Sequence, residues 1–389
     1  MGAQRRPTIT RIEAVEFFVE LENLGMTPDG CEMQYQPGET LRAMRYALTI
    51  DSDAGVRGEF VGRRPESYNQ LQRVAGRMLG RSALDREGIY GELKRQFRAT
   101  INLAVAPLDI ALWDLAGKLY GAPVYELLGG SDRPLPAYAS THFGDASGGL
   151  DSPEAFADFA VRCKEMGYPA FKIHSWGAPI EREVRLVTTV REAVGDGMQL
   201  MHDPGCTYRT FLEALTVGKA LDEANYLWYE DPYMDGGMSA FGNKKLRELL
   251  RTPIMITEHI RGLEQHVDVI VAGGTDLVRV DANLDGGLTG ALKICHAAEG
   301  FGLDVEIHSP GPAHRHLMAS IPNSNYYEMS LVHPKAPTHN GKAYLDYEDE
   351  LESIDANGCV SVPTGPGLGV SIDWDLVSRN QTGGFLFEA

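Results

Sequence analysis

The chain has only five cysteines in 389 residues (Cys31, Cys163, Cys206, Cys295 and Cys359), and no two form a CxxC pair. An odd, dispersed set argues against a disulfide framework and for reduced thiols. No apolar run approaches the length needed to span a bilayer, and Met1-Gly2-Ala3-Gln4-Arg5-Arg6-Pro7 lacks the apolar core of a signal peptide. A cytoplasmic protein with no membrane partner is expected. Basic residues are also short: 36 Lys and Arg stand against 54 Asp and Glu, a formal net charge of −18. That balance disfavours nucleic acid and anionic membrane surfaces. It leaves an anionic small molecule open, because a local site holding bound or side-chain cations can be positive within an acidic protein. No GxGxxG follows any strand-like run, which argues against a doubly wound dinucleotide fold.

Apolar residues are plentiful, at 43% of the chain, enough for a large core. Residues 8–20 and 43–61 carry alternating or continuous apolar runs that read as antiparallel strands, with a long loop from Glu22 to Gly38 between them. Val105, Leu108, Leu112 and Leu115 fall on one helical face, and Asp109 and Asp114 lie off that stripe. Pro107 is placed at the helix start, where its missing N–H does no harm.

From Pro134 the pattern becomes periodic. Strand-like runs at 136–140, 170–174, 199–203, 227–230, 254–258, 277–281, 303–308 and 326–330 alternate with helical stretches such as 155–166, 210–223 and 287–299. Eight strands alternating with helices over roughly 200 residues describe a (β/α)₈-type barrel. The expected organisation is an N-terminal α+β capping domain (1–133), the barrel (134–361) and a C-terminal segment (362–389) that packs back on the capping domain.

Three of these runs end in one acid each: Asp203, Glu230 and Glu258, at intervals of 27 and 28 residues. The interval suits one strand, a crossover helix and the next parallel strand. Three acids then sit at one height on one edge of the sheet, and they repel one another unless a cation lies between them. An all-oxygen set suits Mg²⁺. Lys172 and His174, Asp281, His308 and Glu328 stand at or near the ends of other strands. Any one could be a satisfied polar cap; so many ionisable groups at matching positions mark the mouth of the barrel as a site.

In this ordered set the chain resembles the enolase superfamily, mandelate racemase subgroup. Leu108 to Tyr120, Gly121-Ala122-Pro123-Val124 and Gly365-Pro366-Gly367-Leu368-Gly369-Val370 add weaker likenesses. By that resemblance Asp203, Glu230 and Glu258 ligate Mg²⁺, which would neutralise the charge that develops on a substrate carboxylate when the α-proton leaves. Neighbouring His202, Asp231 and His259 should point away from the mouth if strand alternation holds. Asp281 and His308 would form a dyad in which the carboxylate favours the imidazolium. Glu328 resembles an acid that hydrogen-bonds the substrate carboxylate. The subgroup often carries Lys-x-Lys on strand two; here it is Lys172-Ile173-His174, so Lys172 would contact the substrate carboxylate and His174 would stand in the place of the base.

Met33, Gln34 and Tyr35 of the capping loop, the segment at Arg63 and Arg64, and His142 and Trp176 after the first two barrel strands are candidates for lining the site. Tyr35, His142 and Trp176 are taken as substrate contacts; His314 and His316 receive no role. The resemblance implies a homo-oligomer and an Mg²⁺-dependent dehydratase of an acid sugar, giving a 2-keto-3-deoxy acid, with a racemase or epimerase as the alternative. A cycloisomerase ranks lower, because its pattern has a lysine on strand six, where Asp281 stands here.

Overall fold

The computed structural model describes residues 6–27, 30 and 32–389. Met1 to Arg5, Cys31 and part of the expected capping loop lie outside the described residues. The capping domain opens with three antiparallel strands, β1 (Ile9–Met26), β2 (Met33–Ser52) and β3 (Arg57–Gly62). The long loop expected from Glu22 to Gly38 is instead mostly strand. Leu24 pairs with Tyr35 and Met26 with Met33. Pro37 and Gly38 are absorbed in a bulge: the register jumps between Glu22 and Leu24, and Gly38 (φ +85°) donates its N–H to Asn23 Oδ1 at 2.9 Å.

Four helices follow: α1 (Pro65–Val74), α2 (Arg86–Gln96), α3 (Val105–Tyr120) and the single turn α4 (Val124–Leu127). Pro107 lies in the first turn of α3, where it costs no hydrogen bond. Helix α3 is buried on nearly every side, so Asp109 and Asp114 are buried as well, at 2% exposure each. Both are used. Asp109 accepts from the N–H and hydroxyl of Thr289 at 2.9 and 2.5 Å, joining the capping domain to the barrel. Asp114 accepts from the backbone N–H groups of Glu59 and Leu368, both at 2.7 Å, and pairs with Lys118 at 2.8 Å.

The barrel expected from the sequence is present. In order it runs β4 (Leu135–Phe143), α5 (Pro153–Met166), β5 (Ala170–His174), α6 (Ile180–Val194), β6 (Gln199–Asp203), α7 (Phe211–Glu223), β7 (Trp228–Glu230), α8 (Ala240–Arg247), β8 (Ile254–Ile256), α9 (Gly262–Ala272), β9 (Leu277–Val280), α10 (Gly287–Gly300), β10 (Val305–Ile307), α11 (Pro312–Ala319) and β11 (Tyr327–Val332). Side-chain caps mark the starts of three of these helices, α5, α7 and α8. Ser152 accepts from Ala155 N–H before α5, and Thr210 with Glu213 forms a capping box on α7.

Parallel ladders link the strands from β11 through β4 and on round to β10. Between β10 and β11 there is no ladder. The buried carboxylate of Glu306 bridges that seam, accepting from Asn325 Nδ2 at 2.8 Å and Tyr326 N–H at 3.3 Å. The barrel floor is a plug of Tyr138, Ala170, Met201, Trp228 and Met255. No helix among the described residues is long and apolar enough to cross a membrane.

The chain then returns to the capping domain. After β12 (Cys359–Val360), which pairs with β4, come α12 (Trp374–Arg379) and β13 (Gln381–Glu388). Strand β13 pairs antiparallel with β1, Phe387 opposite Ile12 and Phe385 opposite Ala14. The junction is tight at Gly367. Its φ is +75°, and a Cβ there would lie 2.2 Å from Asp114 Oδ1. Gly367→Ala is expected to cost about 2–4 kcal/mol, from left-handed backbone strain and loss of the Asp114 clamp. Chemical unfolding against Asp114→Asn checks this; a Gly367→Ala stability within error of the parent would contradict the assignment.

Candidate active site at the barrel mouth

Above the apolar floor the barrel interior turns ionic. Lys172 on β5 and Arg279 on β9 are 1% and 0% exposed. Lys172 Nζ lies 3.1 Å from Asp203 Oδ2, 2.9 Å from Glu230 Oε2 and 3.1 Å from Glu328 Oε1. Arg279 pairs with Glu230 Oε1 at 2.8 Å and Glu328 Oε2 at 2.7 Å, and donates to Tyr138 Oη at 2.9 Å. Trp228 Nε1 adds a bond to Glu230 Oε2 at 3.1 Å. Glu328 also accepts from Ser309 N–H at 2.7 Å. Burial alone would neutralise Glu328, but Arg279 and Lys172 outweigh it and hold the carboxyl well below its usual range. Both Glu328 oxygens therefore serve cations and a backbone donor.

Asp203, Glu230 and Glu258 each present an oxygen within 4.8 Å of the others. Parallel register brings Asp203 level with His174 across β5 and β6. Glu258 lies two residues beyond β8, and its side chain, 18% exposed, opens the group towards solvent. Two buried cations, Lys172 and Arg279, face four carboxylates: Asp203, Glu230, Glu258 and Glu328. That surplus of negative charge, built entirely from oxygen donors, fits a hard divalent cation held by Asp203, Glu230 and Glu258.

A histidine flanks each end of this carboxylate group. On one side, His174 Nδ1 lies 2.7 Å from the carbonyl of Thr141 and so carries a proton, while Nε2 lies 3.1 Å from Asp203 Oδ2. On the other, His308 Nδ1 lies 2.8 Å from Asp281 Oδ2, and its Nε2 lies 3.3 Å from Glu258 Oε1. Burial opposes a charge on His308, but Glu258 and Asp281 prevail and raise its pKa above the ordinary histidine value.

Two residues that sequence reasoning passed over complete the site. Arg279 lies inside an apolar strand run, two residues before Asp281; a charged residue at an inward position of that run was the available signal. His314, given no role above, is 1% exposed and lies 2.8 Å from the second oxygen of Asp281. Asp281 is thus held between two imidazoles and also accepts from Asn283 N–H at 2.7 Å. His316 has a structural use, binding the tail at Leu368 O (3.1 Å) and accepting from Tyr125 N–H (3.2 Å).

Of the three candidates named as substrate contacts, two come together. His142 is inward on β4, in step with Tyr138, and forms an edge contact with His333, on which Tyr35 of the capping sheet stacks at 4.6 Å. Trp176 is engaged differently. Its ring packs on Phe156 and under the Arg182 guanidinium at 3.4 Å. Arg63 crosses from the capping domain to Ser309 Oγ at 3.2 Å, beside His308, and also binds Asn340. The expected outward turn holds for His202, which lies 3.2 Å from Tyr208 Oη. It fails for Asp231 and His259, which gather beside Glu258 instead. Positive φ at Asp231 (31°) and Thr257 (100°) breaks the strand alternation there.

An eight-stranded barrel with acids on successive strand ends, roofed by an α+β domain, has the architecture of enolase-like proteins. A family model described as "Enolase C-terminal domain-like" matches residues 155–376, and one described as "Mandelate racemase / muconate lactonizing enzyme, N-terminal domain" matches residues 39–129. The chain belongs to this mandelate racemase/muconate lactonizing enzyme family of the enolase superfamily. It is similar to D-galactarolactone cycloisomerase of Agrobacterium fabrum, 29% identical over 87% of this chain and 91% of that one. It is also similar to L-talarate/galactarate dehydratase of Salmonella typhimurium, 29% identical over 67% of this chain and 65% of that one. Among solved structures, D-glucarate dehydratase from Agrobacterium tumefaciens complexed with magnesium superposes with a TM-score of 0.84, at 29% identity, covering 97% of this chain and 99% of that one.

The ionic interior makes a direct prediction. Arg279→Met removes one of two cations buried against Glu230 and Glu328 and should destabilise the fold by about 3–5 kcal/mol. Urea unfolding measures it; a loss below about 1 kcal/mol would show that Lys172 alone balances both carboxylates.

Proposed function

We propose that the protein is an Mg²⁺-dependent hydro-lyase that dehydrates an acid sugar to a 2-keto-3-deoxy acid. The observation that carries this reading is the pair of unlike histidines flanking one carboxylate group. His174 has its Nδ1 proton committed to Thr141, so Nε2, the nitrogen turned to Asp203, is the one left to exchange a proton with substrate once Asp203 is engaged by the metal. His308, with its pKa raised beside Glu258 and Asp281, is the donor. Dehydration needs this asymmetry: one group takes the proton α to the carboxylate and the other protonates the departing β-hydroxyl. Mg²⁺ at Asp203, Glu230 and Glu258 would supply Lewis-acid stabilisation of the charge developing on the substrate carboxylate. Lys172, buried among those acids, holds their oxygens in place. Tyr35 and His142 would meet the hydroxylated end of the substrate. The names of the dehydratases and the magnesium-bound neighbour support the class.

Epimerisation is the second reading, favoured by the same two-sided placement of imidazoles, since bases on opposite flanks can exchange the α-proton without losing hydroxide. A cycloisomerase also stands among the relatives. A soluble, cytoplasmic setting is supported by Cys163, Cys206, Cys295 and Cys359, all unpaired. An oligomer built from copies of this chain remains part of the proposal, resting on the resemblance alone.

A panel of mono- and diacid sugars with Mg²⁺, assayed for 2-keto acids and followed by NMR in D₂O, separates these outcomes. Keto-acid formation is expected; deuterium at the α-carbon without keto acid would favour epimerisation. Neither signal, with metal shown to be bound, would sink both. His174→Asn should slow α-proton exchange by about 10²–10⁴-fold, and an exchange rate equal to the parent's removes His174 as the base. The acid role has its own pH signature. A donor must be protonated, so kcat should fall on the alkaline side, above the ordinary histidine pKa of about 6.5. Asp281→Asn, which withdraws one of the charges raising His308, should move that limb to lower pH; an unmoved limb would assign it to another group.

A further inference from the structure

Beside the carboxylate group lies a second cluster of different chemistry. Cys206, in the loop after β6, Asp231, directly after β7, and His259, after β8, each present a ligand atom within 4.8 Å of the other two. Backbone structure holds the loops together: Cys206 N–H donates to the carbonyl of Asp231 at 3.0 Å, and Tyr208 and Tyr233 form a parallel bridge two residues further on. His259 Nε2 stands 3.6 Å from Asp231 Oδ2.

The independent observation is the state of Asp231. It is 1% exposed, and neither carboxylate oxygen has a hydrogen-bond partner among the described residues. An unpartnered buried carboxyl is costly. This one also lies near Glu258, Glu230 and Asp203, so anions crowd it. Lys172 and Arg279 are committed to Asp203, Glu230 and Glu328 and do not pair with it. No side chain crowds it from the neighbouring turn: Gly237 packs close, and a Cβ there, at a φ of +70°, would lie 2.4 Å from Asp231 Oδ1. His259 is 39% exposed and Cys206 half-buried, so the cluster opens to solvent on that side.

From these observations we infer that Cys206 Sγ, Asp231 and His259 Nε2 form a second cation site, adjoining the all-oxygen group, since His259 Nε2 lies 3.8 Å from Glu258 Oε1, and selective for a zinc-class metal. Three atoms no more than 4.8 Å apart share a centre about 2.8 Å or less from each. Rotamer changes of well under an ångström per ligand bring these distances to the 2.0–2.3 Å typical of zinc. A sulfur, an imidazole nitrogen and one carboxylate suit Zn²⁺ or Co²⁺ and suit Mg²⁺ poorly, whereas Asp203, Glu230 and Glu258 have the opposite preference. Binding would displace the Cys206 thiol proton to solvent and leave a thiolate on the metal, with solvent at the open fourth position. This assignment does not depend on which acid-sugar reaction the barrel performs.

Co²⁺ is the probe, added to full-length protein already saturated with Mg²⁺. The expected result is a second bound equivalent by metal analysis and a thiolate-to-cobalt charge-transfer band in the near ultraviolet, lost in Cys206→Ser and weakened in His259→Ala. A band that persists in Cys206→Ser, or no band at all in the parent, overturns the inference. A test on the unmutated protein guards against variants that fail to fold. Zn²⁺ should slow iodoacetamide alkylation of Cys206, followed by peptide mapping, at least about tenfold, and Mg²⁺ should not. Equal alkylation with and without Zn²⁺ would count against the site.

Discussion

Everything at the barrel mouth depends on two cations that never reach the surface. Lys172 and Arg279 lie on opposite parts of the barrel wall and between them touch Asp203, Glu230 and Glu328. Without them, carboxylates packed over an apolar floor would push apart or take up protons. With them, Asp203 and Glu328 are held below the usual carboxylate range, while burial still pushes Glu230 up, and the local balance still falls short of neutral. The protein thus stabilises its anions enough to fold and leaves enough negative charge to attract a metal.

The same economy governs the flanks. His174 and His308 both stand beside a carboxylate, the first buried and the second 18% exposed, but their second nitrogens differ. One is tied to a backbone carbonyl and the other to Asp281, itself held by His314 and Asn283. A carbonyl fixes a tautomer without adding charge; a carboxylate fixes it and also favours the imidazolium. Two copies of one side chain are given different surroundings by what lies behind them, the difference on which the proposed base and acid roles rest, and the capping domain adds Arg63 and Tyr35 from above.

Much of this was legible from the chain because parallel strands repeat. Acids recurring at crossover intervals had to share an edge, and Asp203, Glu230 and Glu258 do so. Other features were hidden for particular reasons. Arg279 sits in an apolar run, where pattern reading attends to the run and to its last residue. His314 belongs to a helix, so its approach to Asp281 depends on how α11 packs. Asp109 and Asp114 looked like the polar side of an amphipathic helix, but α3 has neighbours on both sides and each acid binds a partner far away in sequence. Alternation misplaced Asp231 and His259 because the backbone leaves strand geometry where the ligands begin.

The pairing of β13 with β1 closes the capping sheet with strands about 370 residues apart in sequence, and the whole barrel lies between them. One edge of that sheet therefore has no partner until a complete barrel has been traversed. The roof and the barrel it covers are consequently hard to separate as folding units: a barrel that unravels loosens the tether between β1 and β13, and a frayed β13 withdraws support from the sheet that carries Tyr35 and leads into Arg63. Cooperativity of this kind ties the upkeep of the catalytic mouth to the integrity of the longest loop closure in the molecule.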